Sequence, residues 1–160
     1  MGKLFRISGC FEQDEGWPGT SSLVAEVIMG ELFVFWGRCK ERVDGDTLKA
    51  GAASYLVGRF LRDEKRGFYF FFYKMYDDPP QDMLLCIVPK LKKGIGTGMW
   101  STPGKPGEGF VDRHAAQIKV ERLPYSSKLE QEISSTFREG CPILADFPEG
   151  LAEAAKARKK

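Results

Sequence analysis

The residues able to do covalent or acid–base chemistry are few and scattered. His114 is the only histidine, and the four cysteines stand at positions 10, 39, 86 and 141. A histidine beside a cysteine makes a base–nucleophile pair, and clustered cysteines and histidines hold zinc. No two cysteines are spaced Cys-x-x-Cys, and one histidine does not complete a zinc set, so no metal centre is expected. The paired carboxylates Asp44/Asp46 and Asp77-Asp78 each sit in a turn signature, Asp44-Gly45-Asp46 and Asp77-Asp78-Pro79-Pro80, where aspartate bonds to its own backbone. No motif joins a nucleophile, a base and an orienting group. The expectation is a protein that is not an enzyme and carries no cofactor.

Two groups of residues suit binding instead. Phe11, Trp36, Tyr69, Phe71, Tyr73 and Trp100 are aromatics on strand-like segments. Turned inward they would line a pocket for a small apolar or aromatic molecule. The segment from Lys90 to Gly107 is rich in lysine and glycine, and its Lys92, Lys93, Gly94, Gly96 and Lys105, with Arg113 beyond it, form a candidate anion site. The spacing is not a phosphate-binding loop, because no Gly-Lys-Ser/Thr opens a helix there. The simpler reading is a loop followed by a glycine-bent strand.

Charge and hydropathy exclude several classes. With 24 basic and 22 acidic residues the net charge is +2, which gives no electrostatic case for nucleic acid. The basic tail Lys156-Ala157-Arg158-Lys159-Lys160 reads as a solvated end. No run of about 18 apolar residues is present, so no spanning segment and no membrane partner are expected. The opening residues Met1–Arg6 lack an apolar signal-peptide core, and without secretion four scattered cysteines read as reduced thiols in the cytoplasm.

The positioning elements are mostly strands. Phe5 to Glu12 alternates apolar and polar residues, the pattern of a strand with one buried face. Ser22–Met29 and Leu32–Val43 meet across Gly30-Glu31, which predicts a two-residue type II′ hairpin. A long strand with interior glycines follows over Thr47–Leu61, then Phe68–Tyr73, Met83–Val88, a short strand at Gly98–Trp100, and Ala115–Leu123. With turns too short for crossover helices, these segments predict a mainly β fold: an antiparallel up-and-down meander of about eight strands, closed or nearly closed into a barrel. Ser127 and Glu130 fit a helix-capping pair, and Leu129, Ile133 and Phe137 share one face, so an amphipathic C-terminal helix is expected over about 127–139. Residues 1–140 then form the domain. Residues 141–160 form an extension with a short helix near 149–157.

The layout of short-turned strands, interior glycines and a terminal helix, over residues 3–138, resembles the calycins, the lipocalins and fatty-acid-binding barrels. The Gly-x-Trp of lipocalins lies on their first strand; here Gly98-Met99-Trp100 is near the other end, and Gly16-Trp17 lacks the middle residue. The resemblance implies a cavity able to take one small hydrophobic molecule. A further feature concerns the outside. Leu32–Trp36 and Phe68–Tyr73 are apolar at every position, so both of their faces call for burial. One helical stripe is too narrow to cover every outward aromatic, and a homodimer through the outer apolar face is expected. Three functions follow in order: a binding module for a small hydrophobic ligand, an assembly or regulatory protein with a filled barrel, and a nucleotide or phosphate sensor. The lumen separates the first two, since a packed interior leaves only the outer surface for function.

Overall fold

The computed structural model describes residues 2–12, 20–43, 52–63, 67–76, 83–88, 91–103 and 110–141, with Glu153 and Lys156. Eight antiparallel strands run in chain order: β1 (Lys3–Glu12), β2 (Thr20–Met29), β3 (Val34–Val43), β4 (Ala52–Asp63), β5 (Gly67–Tyr76), β6 (Met83–Val88), β7 (Ile95–Pro103) and β8 (Phe110–Arg122). Each pairs with the next, and β1 pairs with β8 from Phe5↔Arg122 to Phe11↔Ala116, so the barrel is closed. Closure leaves no strand edge to template aggregation. Helix α1 (Ser127–Gly140) follows β8 and lies on the outside of β2, β3 and β4. The mainly β meander with a terminal helix is thus the architecture expected.

Alternation sorts each strand into two faces. Ile7, Leu23, Val27, Phe35, Leu56, Phe70, Phe72, Cys86, Val88 and Ile118 converge in the interior. Outside stand Arg6, Glu26, Arg38, Lys119 and Glu121, paired as ions across the surface. On the sector from β8 through β1 and β2 to β3, charged side chains thus face outward and apolar ones inward. Among the described residues no helix is long and apolar enough to cross a membrane. Gly58 shows how tightly the interior closes: a Cβ there would overlap the Phe35 ring and the Phe71 carbonyl.

A second apolar cluster lies between wall and helix. Ile133 and Phe137, both fully buried, sit on Leu4, Ile28, Trp36 and Tyr55, with Leu129 at the margin. Arg38 pins the helix from the side. Its Nε and Nη2 both donate to Glu26 Oε1, Nη1 donates to Thr136, and Glu132 lies 3.7 Å away.

Several boundaries differ from the sequence reading. The helix cap is Ser126, not Ser127: its Oγ accepts from the Leu129 amide at 3.2 Å. Glu130 is thereby one place too far along to complete a capping pair and instead accepts from the Tyr125 hydroxyl, which holds that phenol above its ordinary value. The β2–β3 connection is not a two-residue turn on Gly30-Glu31. Leu32 and Phe33 take left-handed backbone, φ 60° and 59°, and the Gly30 amide donates to Val34 O. Leu32 and Phe33 are therefore turn residues, and the doubly apolar strand begins only at Val34. Residues 47–51 of the expected long strand lie outside the described residues. So does most of the expected second helix, of which Glu153 and Lys156 are described and helical.

Candidate functional site

The interior is packed by rings. Phe35, Phe60 and Phe70 meet at centroid distances of 5.0, 5.1 and 6.4 Å, and Phe5 and Phe72 extend the cluster at 6.1 and 6.2 Å. Ile7, Val27, Phe35, Leu56, Phe70 and Phe72 have no accessible surface at all, so no water-sized void adjoins them. The centre of the barrel is filled by its own side chains.

Beyond the rings the lumen becomes polar. Lys74 continues the inward series of Phe70 and Phe72 and is 1% exposed. Ser54, equally buried, donates to Cys39 O at 3.5 Å. Burial pushes the Cys86 thiol up to about 12, with the Lys74 ammonium pulling weakly the other way. A thiol held protonated is a poor nucleophile, so Cys86 is not an activated cysteine. Sequence reasoning missed Lys74. Its signal was parity: two residues after Phe72 on an extended segment, it had to share that residue's face.

The aromatics chosen for a pocket are divided by the fold. Trp36 lies under α1 in the outer cluster. Tyr69, Phe71 and Tyr73 alternate with the fully buried Phe70 and Phe72 and stand on the outer wall, half-buried, with the Phe71 and Tyr73 rings edge to face at 6.1 Å. None of these four belongs to the interior cluster, because one-residue alternation puts them on the opposite face. Phe11 and Trp100 lie on β1 and β7, and Trp100 pairs with Cys86 and His114. His114 is therefore two strands from Cys86, roughly 10 Å by strand spacing, with β7 between them.

The lysine–glycine segment is a tight hairpin. Lys93 and Gly94 take left-handed backbone, and Lys92 and Ile95 exchange both of their backbone hydrogen bonds, at 2.9 and 3.0 Å. The Lys92 and Ile95 amides are thus committed to each other's carbonyls and do not face a phosphate. Gly96 is a buried strand residue of β7, Arg113 lies on β8, and Lys105 falls outside the described residues. Among the described residues no group of three or more His, Cys, Asp or Glu is arranged to hold a metal.

What remains is the outer wall away from the helix. Register places Phe71, Ile87 and Met99 in one row across β5, β6 and β7, and Tyr73 and Leu85 in the next. Ile87 is 43% exposed and Met99 48%, and neither row carries a charge on these strands. Comparison with protein-family models, curated proteins and solved structures found no match to this chain.

Proposed function

We propose that the protein is a non-enzymatic assembly module, calycin-like in architecture, which pairs with a second copy of itself through the outer face of β5–β7. The observation that carries this reading is the combination of a filled barrel centre with an uncharged apolar wall that α1 does not reach. A filled centre leaves little room for a small hydrophobic ligand, the reading the sequence put first. A two-fold contact brings a patch against itself, where like charges would repel; Phe71, Tyr73, Leu85, Ile87 and Met99 present none. Burying a large apolar side chain is worth roughly 1.5–3 kcal/mol, so a few of these together favour association. A cytoplasmic location belongs to the same proposal and rests on four cysteines that form no disulfide with one another. Light scattering on the intact chain tests it. A dimer that becomes a folded monomer on Phe71→Lys or Ile87→Lys is expected. An unmodified protein that stays monomeric at high concentration removes the proposal.

A further inference from the structure

The end of the barrel bearing the β2–β3 and β6–β7 turns carries a second surface, distinct from the side wall. Even-numbered strands run in one direction, so both turns leave the barrel at the same end. Four strands apart in a closed ring of eight, they stand on opposite sides of its rim. Each turn presents a large apolar side chain to solvent. Phe33 is 62% exposed and Ile95 59%, the highest values among the large apolar residues described.

The first turn is held against its own backbone preference. Two consecutive left-handed residues are ordinarily met by Asn-Gly, and the opposite turn indeed uses Lys93-Gly94. At the first turn Leu32 and Phe33 occupy those positions, and the Arg59 guanidinium Nε donates to Leu32 O at 3.0 Å. A left-handed benzyl-bearing residue stands where glycine would fit better, and its side chain is exposed. Backbone strain of this kind clusters at sites of contact and function.

Charge at this end is mixed, with the basic side chains in excess. Lys92 and Lys93 are exposed on the second turn, and Lys3 and Arg122 are exposed where β1 and β8 reach the same rim. Arg62 is exposed where β4 reaches this rim; the acidic residues described here are Glu31 in the first turn, Asp63 at the end of β4, and Glu121 on β8, which is paired with Lys119 and Arg6. We infer that this end docks on an anionic lipid surface, with Phe33 and Ile95 entering the headgroup layer and the lysines facing lipid phosphates. A protein partner would need a contiguous apolar patch, whereas these two tips are separated by the width of the barrel. A soluble polyanion would use the lysines and gain nothing from Phe33 or Ile95. An anionic bilayer uses both at once. The absence of a spanning segment, which underlay the expectation of no membrane partner, has no bearing on contact made by turn tips.

Co-sedimentation of the full chain with phosphatidylcholine vesicles, with and without phosphatidylserine, tests this. Binding is expected only with phosphatidylserine and weakens at high salt. Replacing Lys92 and Lys93 by Glu should lower the partition coefficient by at least about tenfold, since each lysine near such a surface contributes a factor of about five. Phe33→Gly is the discriminating variant. Glycine relieves the left-handed strain, so its melting temperature should rise while vesicle binding falls at least about fivefold, which excludes misfolding as the cause. Its oligomeric state should not change, which keeps this result separate from the side-wall dimer. Wild-type protein that stays in the supernatant at low salt overturns the inference, as does Phe33→Gly binding vesicles as well as wild type. Heparin binding by wild type and Phe33→Gly alike, with neither sedimenting with vesicles, also overturns it.

Discussion

The backbone of Gly140, at the last turn of α1, lies flush against the phenol ring of Tyr55 on β4, so that a Cβ at residue 140 would overlap Tyr55 Cζ and Oη. Phe137, one turn earlier, meets the same ring edge-on at 6.3 Å. The helix therefore docks through a glycine contact as well as through its apolar stripe. Gly140→Ala should destabilise the fold by about 1–3 kcal/mol through overpacking, read as a shift in the urea midpoint. Tyr55→Leu in the same chain should recover part of that loss. An equal penalty in both backgrounds would mean that the ring does not bear on Gly140.

Arg38 couples the helix to the wall through geometry that lysine cannot copy. Its fork reaches Glu26 by two nitrogens and Thr136 by a third. Arg38→Ala should cost about 1 kcal/mol, because the ions are only partly buried, and the loss should shrink in high salt. Arg38→Lys should recover less than half of it, since an ammonium makes one of those contacts at a time. Denaturation midpoints at low and high salt check both statements.

Neighbouring phenylalanines on β5 should behave oppositely. Phe70→Ala opens a cavity in the ring cluster and should cost about 3–5 kcal/mol. Phe71→Ala, on the outer wall, should cost much less stability in the monomer and should weaken association instead. Denaturant curves and light scattering on the two variants give the comparison.

Stability should fall in alkali through Cys86. Its thiol rises from 9.0 to about 12 on folding. Below pH 9 the folded and unfolded chains both hold this proton, and the group makes no difference between them. Above pH 9 the unfolded chain loses the proton while the folded chain keeps it, so the unfolded state binds fewer protons and stability declines as pH rises towards 12. Cys86→Ser should flatten that limb of the pH–stability profile. At pH 8, a thiol reagent should label the exposed Cys10 well before the buried Cys39 and Cys86.

The strands and their order were legible because turn residues punctuate alternating segments. Residues Phe5–Glu12 and Ala115–Leu123 each announce one buried face. The pocket residues were not legible, for a reason particular to β5. Residues Phe68–Tyr73 are apolar at every position, so alternation carries no information about which face turns inward. The neighbouring strand held the answer. On β4, Leu56, Gly58 and Phe60 alternate with the charged Arg59, and register pairs Phe60 with Phe70 and Arg59 with Phe71. Directly paired residues share a face, so Phe71 must follow Arg59 outward. That inference needs the register, which the sequence of the 64–66 turn does not state. The left-handed Leu32-Phe33 turn was hidden for a related reason: neither residue type favours that conformation, and Gly30 offered a more conventional turn just before it.

Closure of the ring by β1 and β8 has a consequence for synthesis. The strand made first, Lys3–Glu12, finds one of its two partners only when residues 116–122 have emerged from the ribosome. Until then β1 is an open edge, and the phenylalanines of β5 lack a sealed interior to occupy. Pairings this distant along the chain form slowly, because a long loop must be ordered before any contact rewards it. The nascent chain is thus exposed for most of its translation and should be bound by holdase chaperones until β8 is released. Synonymous codons that slow translation just before residue 110 would lengthen that window and raise the insoluble fraction without changing a single residue of the finished barrel.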